Sequence, residues 1–272
     1  MRLDSALRIA RRRSAPIVLP YLMVDRRRRR SLVRVVRALR DGGAAGLELG
    51  FPFSDPIADG PVLEAAHERA LRDGTRWGDL LHALGAVTPL LPTAVMTYAN
   101  PLVRRGLDHA VAELARAGAT ALIVPDLSLE ESAPFRAAAR RHRISLVLLA
   151  APGIPSSRVA RIARASRGFL YLVGRYGTTG GAGRGASIDL APLVGAARTA
   201  APGLPILVGF GVRDRATAAR ALASGADGVI VGTALETLLS RRLDPGSVRE
   251  LLAEIAGSAS LPRPRADRPA GA

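Results

Sequence analysis

Cysteine is absent from this chain, and so is lysine. The first absence excludes disulfides, thiolate metal sites and cysteine nucleophiles. The second excludes Schiff-base catalysis and any phosphate loop built on a lysine. It also makes all 39 basic residues arginine. Aromatic residues are scarce, at 4%. Ala, Leu, Val and Gly do most of the filling, which favours helices packed closely on strands over an aromatic-rich β-sandwich. No apolar run approaches the roughly 18–20 residues needed to span a bilayer. The start, Met1 to Ala10, has no apolar core of a secretion signal. It reads as a short amphipathic helix leading into Ile17-Val18-Leu19, and a cytoplasmic protein is expected. Only four histidines occur, His67, His82, His109 and His142. None pair at metal-ligand spacing, and each sits in a polar, helix-like segment. The expectation is a surface position for all four and no metal site.

A net charge of +16 raises the question of nucleic acid. The arginines, however, recur on nearly every helix-like segment instead of clustering, and aromatics for base stacking are almost missing. Neither a nucleic-acid partner nor a membrane is expected. The one true run, Arg26 to Arg30, reads as a solvated helix start.

Short apolar runs alternate with helical patterns to near the end of the chain. Candidate strands are Ile17–Val24, Gly46–Gly50, Pro92–Tyr98, Ala121–Asp126, Ser145–Ala151, Gly168–Gly174, Pro205–Gly211 and Gly228–Gly232. Between them lie helical periodicities such as Leu107–Ala117, Leu129–Arg141, Ser156–Ala165 and Arg213–Ser224. Continuous apolar strands bounded by helices indicate a parallel sheet covered on both sides. Eight such units point to an α/β (β/α)8 TIM barrel. A doubly wound open sheet would more usually carry a glycine-rich turn after its first strand, and Val24-Asp25-Arg26 has none. No Ser/Gly linker divides the chain, so one catalytic domain over 1–256 is expected, followed by a flexible, disordered tail over 257–272.

In a barrel the chemistry sits where strands end. The second strand ends in a carboxylate, Glu48, and the Gly/Pro loop that follows returns another, Asp59. An ionisable residue on an apolar strand is costly without a partner or a role. Two carboxylates at one pocket suit general acid/base work. Two other readings stay open: Glu48 as half of a buried ion pair with an arginine, and Asp59 as the N-cap of a helix from Pro61. The ends Gly209-Phe210-Gly211 and Gly232-Thr233, with the glycine-rich loop Gly177–Gly185, suit a phosphate held by backbone N–H groups under a mobile lid.

The run from Leu47 to Pro61, LELGFPFSDPIADGP, resembles the signature of the α subunit of tryptophan synthase. Met96-Thr97-Tyr98-Ala99-Asn100-Pro101, Pro125-Asp126-Leu127 with Glu130-Glu131-Ser132, and Gly209-Phe210-Gly211 extend the resemblance over roughly Pro16 to Leu239. The resemblance implies retro-aldol cleavage of indole-3-glycerol phosphate to indole and glyceraldehyde 3-phosphate. It implies that Glu48 is the acid/base and that Asp59 stabilises charge at the indole N–H. It places Thr179 as the lid threonine that orders Asp59. Gly180, Gly211, Gly232 and Thr233 fall on the phosphate cradle, and Tyr98, Ile123, Tyr171 and Phe210 on the indole pocket wall. Asp126 reads as a buttress for the neighbouring loop.

The resemblance further implies a β-subunit partner in an α2β2 heterotetramer. That partner carries pyridoxal phosphate and receives indole, and this chain needs no cofactor. Phe53–Arg72 and Asn100-Pro101-Leu102 resemble the contact surface. The alternative is a stand-alone lyase that releases free indole. The residues agree with the chemistry, because an aldol cleavage needs an electron sink, and a protonated indole ring supplies one without lysine or metal. Two departures stand out. The family's Gly-Asp-Pro turn after the first strand is replaced by Val24-Asp25 running into Arg26–Arg30, and Arg175-Tyr176 replaces a more usual Arg-Ser.

Overall fold

The computed structural model describes residues 1–13, 16–174, 189–241 and 244–257. Eight parallel strands close in sequence order into a barrel, the last pairing with the first. They are β1 (Ile17–Met23), β2 (Leu47–Gly50), β3 (Thr93–Met96), β4 (Ala121–Ile123), β5 (Ser145–Ala150), β6 (Leu170–Val173), β7 (Ile206–Gly209) and β8 (Gly228–Val231). All eight lie inside the ranges read from the sequence, trimmed where the chain leaves the ladder. Around them run α1 (Leu3–Arg12), α2 (Arg29–Asp41), α3 (Pro61–Arg72), α4 (Trp77–Val87), α5 (Ala99–Arg104) and α6 (Leu107–Arg116). The ring continues with α7 (Ser132–Arg141), α8 (Ser156–Ala165), α9 (Ala191–Ala200), α10 (Arg215–Ala223), α11 (Thr233–Arg241) and α12 (Pro245–Ala256). This is the expected TIM barrel with its short N-terminal helix. The expected tail beyond Gly257 lies outside the described residues.

Alternation along the strands divides the core in two. Val18, Leu22, Leu47, Leu49, Val95 and Leu122 face outward and pack under the helices. Ile17, Leu19, Tyr21, Met23, Ala94, Met96, Ile123 and Tyr171 face inward and fill the barrel. Leu3 and Leu7 of α1 join the inner set and plug the end where the strands begin. The same alternation turns Glu48, between outward Leu47 and Leu49, into the barrel.

Two local departures have physical causes. The periodicity from Leu129 becomes helical only at Ser132, because the Ser128 hydroxyl accepts from Glu131 N–H and holds a turn there. The arginine run does start a helix, through a 3-10 turn at Arg26–Arg28, and its members are exposed except Arg28, which is half-buried. It turns inward to Glu236 at 2.7 Å, with its side chain only 14% exposed.

Candidate active site

Glu48 is the second residue of β2, not its last as the sequence suggested, and pairs with Tyr21 of β1 on one side and Ala94 of β3 on the other. It is completely buried, and neither carboxylate oxygen has a hydrogen-bonding partner among the described residues. No arginine among the described residues pairs with it, so the ion-pair reading finds no support there. Burial, and then the charge of Asp59, push its carboxyl up to about 8. A carboxyl so raised holds its proton near neutrality and can act as an acid toward carbon.

The loop after β2 returns Asp59 to the same cavity. It ends in Gly60, whose extended backbone precedes Pro61 at the first position of α3, a residue with no N–H to satisfy there. Gly60 is the N-cap and no side chain caps the helix, so Asp59 does not serve that purpose. Its Oδ2 instead accepts from the Tyr98 hydroxyl at 2.8 Å and lies 3.1 Å from His67 Nε2. Its Oδ1 is buried without a partner among the described residues.

His67 corrects the expectation that all four histidines lie on the surface: it is 3% exposed. His82 and His109 are exposed and His142 is half-buried. The signal was present in the sequence, since Leu63, Ala66, His67 and Ala70 recur at the spacing of one helix face, and all four are buried. The polar neighbours Glu64, Glu68 and Arg69 masked it.

A cavity of about 330 Å³ opens at the C-terminal mouth of the barrel. Glu48, Asp59, Tyr171, Phe210, Gly211, Gly232 and Thr233 line it, with Tyr21, Met96 and Ile230 that sequence reasoning had not singled out. Tyr98 stands behind Asp59, its ring stacked on Phe53 at 5.1 Å, and Ile123 sits in the barrel filling on β4. Neither is among the residues lining the cavity. Thr179 and Gly180, with the loop Gly177–Gly185, lie outside the described residues. Asp126 accepts from Ala99 N–H with both oxygens, at 3.0 and 3.2 Å, and so buttresses the start of α5.

The far wall is built for close approach. Phe210 adopts φ 56°, a left-handed conformation unusual for an aromatic residue, and packs on Tyr171 at 5.3 Å. Gly211 follows at φ 124°, which side chains rarely adopt. At Gly232 an added Cβ would meet only Tyr21, at an ordinary 3.5 Å, so packing does not demand glycine there. The backbone at Gly232 leads directly into α11, whose N-terminal N–H groups begin at the cavity.

A larger cavity of about 490 Å³ lies outside the barrel, between Leu22-Met23-Val24, α2 and α4. Its acidic residues are already engaged, Asp25 by Arg27 N–H and Asp79 by Arg76 N–H. Of the two cavities, the barrel mouth holds the carboxylate oxygens with no partner among the described residues, both of Glu48 and Oδ1 of Asp59, and it is the better candidate for chemistry. Among the described residues no cluster of three His, Cys, Asp or Glu could hold a metal, and no helix is long and apolar enough to cross a membrane.

A closed eight-stranded barrel with a polar cavity at its C-terminal mouth defines the enzyme class of (β/α)8 barrels. Within that class, a sequence model described as tryptophan synthase alpha chain matches residues 7–256. The tryptophan synthase alpha chain of Chloroflexus aggregans is 41% identical over 243 residues, 88% of this chain and 87% of that one. The structure of Mycobacterium tuberculosis tryptophan synthase superposes with a TM-score of 0.84 at 37% identity, covering 96% of this chain and 99% of that one. A Pyrococcus furiosus structure described as the tryptophan synthase α2β2 complex superposes at 0.79, with 33% identity over 90% and 98% of the two chains. The chain belongs to the tryptophan synthase alpha chain family.

Proposed function

We propose that this chain, as a tryptophan synthase α subunit and a lyase, cleaves indole-3-glycerol phosphate by proton transfers between substrate and Glu48, with Asp59 as the charge partner. The observation that carries the reading is Glu48 itself: fully buried, without a partner at either oxygen among the described residues, raised to about 8, and lining one cavity with Asp59.

The steps balance without a cofactor in this chain. Protonated Glu48 donates to the ring carbon that carries the glycerol side chain, and the ring nitrogen becomes cationic. The Asp59 carboxylate faces that N–H and stabilises the charge. Glu48, now ionised, takes the proton of the adjacent glycerol hydroxyl. As the carbon–carbon bond breaks, its electron pair returns to the ring and neutralises the nitrogen. Indole and glyceraldehyde 3-phosphate leave, and Glu48 is again protonated. The phosphate is assigned to the backbone at Gly211, Gly232 and Thr233, at the N-terminus of α11. Thr179 and Gly180 are assigned to the same substrate from the family signature.

A β subunit carrying pyridoxal phosphate is the proposed partner. Two exposed apolar side chains support this, Ile57 at 64% and Val103 at 57%, one in the loop after β2 and one in α5. Both lie in or beside the segments that resemble the contact surface, whereas Leu102 points into the core. No step above runs through the partner's cofactor, and a cytoplasmic location is part of the same proposal.

The test is indole release by the purified chain, alone and with a β subunit added. Turnover should rise when the partner is present. Glu48→Gln and Asp59→Asn should each lose at least about 100-fold in turnover while keeping their circular dichroism. Near-full turnover by the Glu48 variant would sink the assignment.

A further inference from the structure

We propose that His67 is a positioning residue that holds one oxygen of Asp59 and leaves the other as the sole acceptor for the substrate N–H. The inference rests on the role given to Asp59 above. Phe53 N–H donates to His67 Nδ1 at 2.9 Å. A ring nitrogen that accepts from a backbone N–H carries a lone pair, so the imidazole proton sits on Nε2. That N–H points at Asp59 Oδ2, 3.1 Å away. The Tyr98 hydroxyl donates to the same oxygen at 2.8 Å, and its own oxygen accepts from Ala58 N–H at 3.1 Å. Both donors thus converge on Oδ2, while Oδ1 is buried with no partner among the described residues.

A carboxylate held by one donor can rotate and exchange its two oxygens. Held by two donors from different elements, His67 in α3 and Tyr98 at the N-cap of α5, it presents a fixed face before substrate arrives, which is the condition for electrostatic preorganisation. His67 does a second thing at the same time. Phe53 and Asp59 stand near opposite ends of one loop, and the imidazole bridges them from α3. The Phe53 ring in turn stacks on Tyr98. Phe53, His67, Asp59, Tyr98 and Ala58 therefore form one closed circuit that ties the loop's conformation to the direction of Oδ1.

The experiment measures steady-state cleavage of indole-3-glycerol phosphate by the full chain, as wild type, His67→Phe, His67→Gln, Asp59→Asn and the His67→Phe/Asp59→Asn double variant. Phenylalanine keeps a ring in the buried position and removes both nitrogens, whereas glutamine restores an N–H near the reach of Nε2. His67→Phe should lower kcat by about 10- to 100-fold while KM moves less than about threefold. His67→Gln should recover part of that loss. In the Asp59→Asn background the phenylalanine should cost nothing further, because the group His67 acts through is gone. Nitrogen-15 spectra of wild-type His67, which need no variant to fold, should show a bare Nδ1 and a protonated Nε2. Wild-type kcat in His67→Phe with Asp59→Asn inactive, an equal loss in both backgrounds, or a proton on Nδ1 would each overturn the His67 inference alone. Full turnover by Asp59→Asn would overturn the acceptor role of Asp59 itself, and the inference with it.

Discussion

Glu48 is held in a mainly apolar barrel filling, with Asp59 and the Tyr21 and Tyr171 hydroxyls as its polar company, and two consequences follow from the direction of its shift. Its carboxyl, pushed up to about 8 by burial and then by Asp59, is mostly protonated at neutral pH. If the acid is the active form, kcat/KM for indole-3-glycerol phosphate should fall at high pH with an apparent pKa near that value. Proton binding also couples to folding. The folded state binds this proton more tightly than the unfolded chain, where a glutamate titrates near 4.5. The resulting stability is fully present below 4.5 and is lost as pH rises through about 8. The loss is of the order of a few kcal/mol. Denaturant unfolding at about pH 5 and about pH 9 should show it in the wild type and show less of it in Glu48→Gln. An equal pH dependence in both would refute the burial argument. Glu48 was legible in the sequence as a charge on an apolar strand. His67 was not read, because its helix neighbours are charged and only the spacing of Leu63, Ala66 and Ala70 marks its face as inward.

The segment from the end of β1 to α2 replaces the family's Gly-Asp-Pro turn with charge, and the charge is used structurally. Glu236, in the first turn of α11, is 1% exposed and accepts from Met23 N–H at 2.9 Å as well as from Arg28. Arg69 of α3 lies 3.5 Å from Glu236 and 3.4 Å from Asp25. Three elements around the cavity are thus joined by one buried network. Removing one partner of a buried pair leaves the other uncompensated. Arg28→Ala should destabilise the fold by up to about 3 kcal/mol, read as a lower urea midpoint, with Arg69 limiting the damage. No change in midpoint would mean that Arg69 alone satisfies Glu236. From the sequence this run could be identified as a helix start but not as a tether, since its acceptor is more than two hundred residues away.

Across the whole barrel, bulky and small side chains face each other in the inner layer. Tyr21 lies against Gly50, where a Cβ would stand 2.0 Å from the hydroxyl, and Tyr171 lies against Gly209, where it would stand 2.2 Å away. These glycines are where two tyrosines fit inside a barrel, and both tyrosines line the cavity. Gly50→Ala should therefore lower stability by about 1–3 kcal/mol through overpacking and displace Tyr21 into the cavity with loss of turnover. An unchanged midpoint and an unchanged rate would refute it. Alternation of apolar runs with helical periodicity was enough to specify eight strands, their parallel sense and the inward turn of Glu48, because those depend on local period alone. The partners of the inward groups depend on closure of the barrel. Only closure brought the loop after β2, α3 and the start of α5 together, leaving Glu48 without a partner among the described residues, placing His67 and Tyr98 on one oxygen of Asp59, and pairing each tyrosine with its glycine. Those contacts join residues far apart along the chain, and no local pattern encodes them.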